Sequence, residues 1–136
     1  MKALPAIFFS GILLTLTVLF ILTSLTSCSR EQVPEGLFSG WATNHQDYQN
    51  CYMIIEPQRI VIFDAQQTER DYSIKQVRIN ERGSESEVII STVDPEGVEF
   101  TFHLVYVRVD EMQILHYRNL PDVLWRPASA EELRSR

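Results

Sequence analysis

The chain has 136 residues, of which 45% are hydrophobic, 10% aromatic and 22% charged, with a formal net charge of −6. That is the length of one folded domain and the composition of a globular protein rather than a disordered tail. The acidic balance excludes a basic nucleic-acid footprint, and two cysteines exclude a disulfide scaffold or a Cys-rich metal module.

Lys2 is the only charged residue before Arg30, and 6–22 is almost entirely apolar. A positive start, an apolar stretch and then small residues is the layout of a secretory signal. The residues that follow, Leu25-Thr26-Ser27-Cys28, resemble a bacterial lipobox: an aliphatic residue, two small residues and a cysteine. The resemblance implies cleavage between Ser27 and Cys28, with Cys28 carrying lipid on its sulfur and its amine. Residues 1–27 are therefore expected as a lipoprotein signal peptide. Two alternatives stay open. The stretch 3–22 is long enough to remain as a membrane anchor, and an ordinary signal would be cut at an A-x-A-like site, which Thr-Ser-Cys matches poorly. All three export the domain. Ser29, rather than Asp, after the cysteine resembles outer-membrane sorting, facing the periplasm in a diderm host. The expected location is the cell envelope, with the membrane reached through the N-terminal lipid.

Removing the leader costs the chain only Lys2 as a charge, so the remainder is more acidic still. It is large enough for one compact core. Lipidation of Cys28 would leave Cys51 without a partner in its own chain. Its neighbours Tyr52, Met53, Ile54 and Ile55 make it a small buried hydrophobe by expectation.

Residues 28–36 are polar, contain Pro34 and Gly36, and are expected as a flexible tether. From there the chain is a series of short β-type runs: 37–43, 51–56, 59–64, 72–80, 87–93, 98–109, 112–118 and 123–126. Asp94-Pro95-Glu96-Gly97 has turn residues in order, and Gly83 supplies positive φ between two runs. Asp110-Glu111 is short enough for a two-residue hairpin connection. Short connections make sequential strands antiparallel. In 98–106 the even positions are apolar, but from Val105 the odd positions are, and a similar slip occurs near Lys75-Gln76. Such slips predict bulges in strands that curl. Ser129 with Glu132 resembles a capping box, which predicts a helical turn in the polar tail 128–136. The predicted fold is all-β, an antiparallel meander of about eight strands forming a small barrel or half-barrel over 37–127.

A tryptophan near the first strand, a meander and an arginine near the last strand resemble the lipocalin-type (calycin) arrangement. The resemblance implies that Trp41 begins the barrel and that Arg126, with Arg118 as the alternative, stacks across its ring to close it. The family's Gly-x-Trp motif is here Gly40-Trp41, with no residue between.

Chemistry-bearing clusters are sparse. His45, His103 and His116 share no short ligand spacing with one another or with Cys51, so no metal is expected. There is no G-x-S-x-G elbow and no phosphate-cradling glycine loop, so neither an enzyme nor a cofactor is expected. Glu81, Glu85, Glu87, Asp94, Glu96 and Glu99 gather around two turns, where charge protects strand edges. The aromatics point further. Trp41, Phe63, Phe100, Phe102 and Tyr106 are expected to line a pocket for an apolar or amphipathic small molecule. The alternative is an accessory factor or inhibitor that binds an envelope protein.

Overall fold

The computed structural model describes residues 31–134. The lipobox, with Ser27 and Cys28, lies outside the described residues. Eight strands follow one another: β1 (Ser39–Thr43), β2 (Tyr52–Ile55), β3 (Arg59–Phe63), β4 (Glu69–Arg82), β5 (Glu85–Val93), β6 (Glu99–Val109), β7 (Met112–Tyr117) and β8 (Leu120–Pro127). Each pairs antiparallel with its neighbour in sequence, and β8 returns to β1, so the sheet closes into a barrel rather than a half-barrel. Closure leaves no free first or last strand, which removes the usual site of edge-to-edge aggregation.

The connections obey local chemistry. At 94–97 the Gly97 N–H donates to the Asp94 carbonyl at 3.0 Å, and Asp94 Oδ1 accepts from the Val98 N–H at 2.8 Å. Gly97 has φ 86° and Gly83 φ 64°, where a Cβ would be strained. Between Val109 and Met112, Asp110 takes φ 53° and does the work of the glycine the turn lacks.

The slip expected near Lys75-Gln76 is present: the β4–β5 register shifts between Ile74 and Gln76, and Tyr72 and Val77 are both buried on either side of it. The slip expected in β6 is absent. Its register against β5 and β7 runs without interruption, with Phe102, Leu104 and Tyr106 buried inside. Val105, Val107 and Val109 instead alternate onto the outer wall, where β-branched residues suit an extended backbone whether or not they are buried. The second irregularity lies between Leu115 and Tyr117 in the β7–β8 pairing.

One end of the barrel, the base, carries the turns at 83–84 and 110–111; the other, the mouth, carries those at 64–68, 94–98 and 118–119. The base is filled. Leu37, Trp41, Ile55 and Leu104 are fully buried there or in the adjoining core, and Trp41 Nε1 donates to the Leu37 carbonyl at 3.1 Å. The described part of the stretch expected as a tether is fixed to the barrel. Val33 is 3% exposed, Glu35–Leu37 forms a 3₁₀ turn, and Glu31 accepts the Ile79 N–H at 3.0 Å. The composition of 28–36 is that of a linker, yet one valine and one leucine suffice to seat it against the core.

The polar tail contains α1 (Ala130–Arg134), and its capping box forms in both directions: Glu132 N–H to Ser129 Oγ at 3.2 Å, Ser129 N–H to Glu132 Oε2 at 2.7 Å. This helix docks on the outer wall, with Leu133 over Gly40. Among the described residues no helix is long and apolar enough to cross a membrane.

Candidate binding site at the barrel mouth

Inward positions are set by alternation along each strand and by register between strands. Trp41 lies opposite Met53, Met53 opposite Ile62 and Ile62 opposite Arg70, a row of inward residues across four strands. It starts on fully buried Trp41 and ends on exposed Arg70. Tilt of the strands carries such a row from the packed interior up to the rim.

At the rim the interior opens. A cleft of about 480 Å³ is lined by Tyr48, Cys51, Ile62, Phe63, Tyr72, Tyr117, Leu120 and Trp125, with Asp64, Arg70 and Asn119. A smaller cleft of about 310 Å³ adjoins it and shares Arg70 and Tyr72. The larger volume falls within the range that holds small organic ligands.

A belt of rings runs along the cleft and behind its wall. Tyr48 and Trp125 have centroids 6.4 Å apart, Trp125 and Tyr117 6.5 Å, Tyr117 and Phe102 6.5 Å, Phe102 and Tyr72 5.3 Å, and Tyr72 and Phe100 5.2 Å. Three of these contacts are edge-on, the geometry that ring quadrupoles favour. Tyr117 donates to Met53 Sδ at 3.7 Å, and burial, with the Tyr72 and Tyr48 phenols nearby, pushes its pKa up to about 12. Trp125 Nε1 is buried with no hydrogen-bond partner among the described residues. The Cys51 thiol is pushed up by burial first and then by Asp64, so it stays protonated and is a poor nucleophile.

Of the five residues expected to line a pocket, only Phe63 lines the larger cleft and Phe100 the smaller one. Trp41, Phe102 and Tyr106 are packed into the interior at 0%, 8% and 7% exposure. Trp41 and Tyr106 meet edge-on at 6.2 Å. The expected stack of Arg126 on Trp41 is not made. Arg126 lies opposite Ala42, one position out of phase with Trp41, so the two side chains leave opposite faces of the sheet. Arg126 pairs instead with Glu132 at 2.7 Å, beside the docked helix. The alternative, Arg118, is bonded to Glu87, which also contacts His103 Nε2 at 2.8 Å and whose pKa is lowered by those partners, His103 foremost.

Sequence reading missed Tyr48, Tyr72, Tyr117 and Trp125 as lining residues, and Arg70 altogether. One signal for Arg70 was there. Extending the alternation of Tyr72 and Ile74 backward by two places Arg70 on the inner face, but 65–71 reads as a break by composition. The remaining histidines stay apart. His116 Nδ1 lies 3.0 Å from the Tyr117 carbonyl, and His45 caps the 3₁₀ turn Gln46–Tyr48. Among the described residues no group of three or more His, Cys, Asp or Glu is gathered as a metal site would require.

No protein-family model matches the chain, and no curated protein or solved structure is significantly similar to it.

Proposed function

We propose that this protein is a lipid-anchored lipoprotein of the cell envelope whose barrel binds an apolar or amphipathic small molecule at its mouth. The observation that carries the reading is the ring-lined cleft of about 480 Å³ at the open end of an otherwise packed barrel. Rings expose large apolar area at low conformational cost, so a cleft lined by them favours an apolar guest. The leader and lipobox support the anchored half of the reading, and Ser29 supports the outer membrane, facing the periplasm, in a diderm host.

The test is extraction and mass spectrometry of small molecules that co-purify with the full-length protein from membranes. An amphipathic compound that is lost in a Trp125→Ala variant supports the reading; clean protein sinks it. For the anchor, Cys28→Ala should lose both acyl mass and membrane retention, and a variant that behaves like the parent would end that half of the proposal.

A second reading, an accessory factor or inhibitor that binds an envelope protein, is favoured by one observation. On the outer wall Met112 and Leu124 are 57% and 50% exposed and line a groove of about 480 Å³ with Ile114. Contiguous apolar surface of this kind suits a protein partner.

A further inference from the structure

Exposed apolar side chains stand at both ends of the barrel. Val98, Phe100 and Leu120 are 51%, 42% and 38% exposed at the mouth, and Val109 and Met112 are 45% and 57% exposed at the base. The course of the N-terminal segment separates the two. Glu31 accepts the Ile79 N–H just short of the Gly83 turn, and Gly36 lies against the Tyr106 hydroxyl, with Tyr106 opposite Ser86. Residues 31–36 thus run along the base.

Cys28 stands three residues before Glu31, which allows at most about 11 Å of extended chain. From Ile79 back to Arg70 at the rim, β4 covers nine residues, roughly 20 Å along the barrel axis once strand tilt is allowed for. A lipid on Cys28 therefore brings the bilayer to the base and leaves the rim out of its reach unless the barrel lies flat.

The base has the side chains to meet it. Val109 and Met112 are direct cross-strand partners at the end of the β6–β7 hairpin, and Val107 and Ile114 continue the same outer face. The Arg108 N–H donates to the Ser84 carbonyl at 3.3 Å, which holds this hairpin against the β4–β5 hairpin, where Arg82 lies opposite Glu85. Apolar side chains beside exposed arginines suit the boundary between acyl chains and headgroups, where a guanidinium reaches phosphate while its stem stays in apolar surroundings. Glu81, Glu85, Asp110 and Glu111 are exposed around them and outnumber the two arginines, so the fit is to a zwitterionic leaflet and not to an anionic one.

Resting on the lipid-anchored reading, we propose that the base is a second membrane contact, with Val109 and Met112 seated among zwitterionic headgroups and the mouth held up in water. A guest then enters the mouth from the aqueous side, not sideways from the bilayer that carries the anchor.

The test uses the full, lipidated chain in phosphatidylcholine vesicles whose headgroups carry a nitroxide quencher. A bimane on the native Cys51, which lines the mouth, reports one end, and a bimane on Ser84→Cys in a Cys51→Ser background reports the other. Burial of the apolar pair should favour the seated orientation about tenfold, so the label at position 84 should be strongly quenched and the label on Cys51 left bright. Val109→Ser with Met112→Ser should bring the two labels towards equal quenching while acyl mass and vesicle retention stay as in the parent. Equal quenching in the parent overturns the inference while the anchor survives, and leaves Met112 to a protein partner. Strong quenching of Cys51 also overturns it, in a chain with no substitution that could misfold. So does stronger quenching at position 84 in phosphatidylglycerol than in phosphatidylcholine. A chain without acyl mass that stays off the vesicles ends the anchored reading, and the seat with it.

Discussion

The two methyl carbons of Leu133 lie 2.8 and 2.9 Å from where a Cβ on Gly40 would stand. The C-terminal helix is therefore seated on the absence of a side chain in β1. Gly40→Ala should push Leu133 off the wall and cost about 1 kcal/mol, the low end for overpacking because the obstacle is the tip of a flexible side chain. In a Leu133→Ala background the same change should cost nothing, since alanine is no worse than glycine in a strand. A double-mutant cycle by urea denaturation measures the coupling, and additive effects would contradict the docking.

Glu132 links that helix to β8. Its pKa falls to about 2, chiefly through Arg126 and then through the Ser129 N–H. A carboxylate depressed in the folded state stabilises it above the ordinary value of 4.5 and stops doing so as pH falls through about 2. Helix docking should therefore weaken between those two values. Following the Ser129 amide by NMR would show it, and Glu132→Gln should flatten the transition.

Tyr106 is 7% exposed, and its hydroxyl has no hydrogen-bond partner among the described residues. That oxygen would lie 2.9 Å from a Cβ on Gly36. Removing an unsatisfied buried hydroxyl relieves its desolvation cost, so Tyr106→Phe should be neutral or stabilising by about 1 kcal/mol. It should also lessen the damage done by Gly36→Ala. Thermal denaturation of the four proteins decides the matter; a strongly destabilised Tyr106→Phe would reveal a bond to the hydroxyl.

Tyr117 gives the mouth a pH signature. Its phenol ionises near 12 when folded against 10 ordinarily, because burial penalises the anion. The folded state then holds a proton that the unfolded chain releases, so stability falls as pH rises from 10 towards 12, on the order of 3 kcal/mol in all. Ultraviolet titration should show the Tyr117 phenol ionising late, and Tyr117→Phe should remove both that step and its share of the alkaline instability.

Much of the architecture is written locally. Alternation marked the strands, Asp94 to Gly97 and Gly83 marked two turns, the slip at Lys75-Gln76 marked a real bulge, and Ser129 with Glu132 marked a real cap. These signals need only neighbours a few residues apart, where sterics and hydrogen bonding act directly. Alternation in β6 misled, because it reports which residues are apolar and not which face is covered. Which inward residue fills the barrel and which lines its mouth was decided by closure: the registers of all eight strands add up around the ring and set how deep each side chain sits. Trp41 thus lies in the core, Arg70 reaches the rim, and Arg126, a single position out of phase, faces the other way. No short stretch of chain contains that sum.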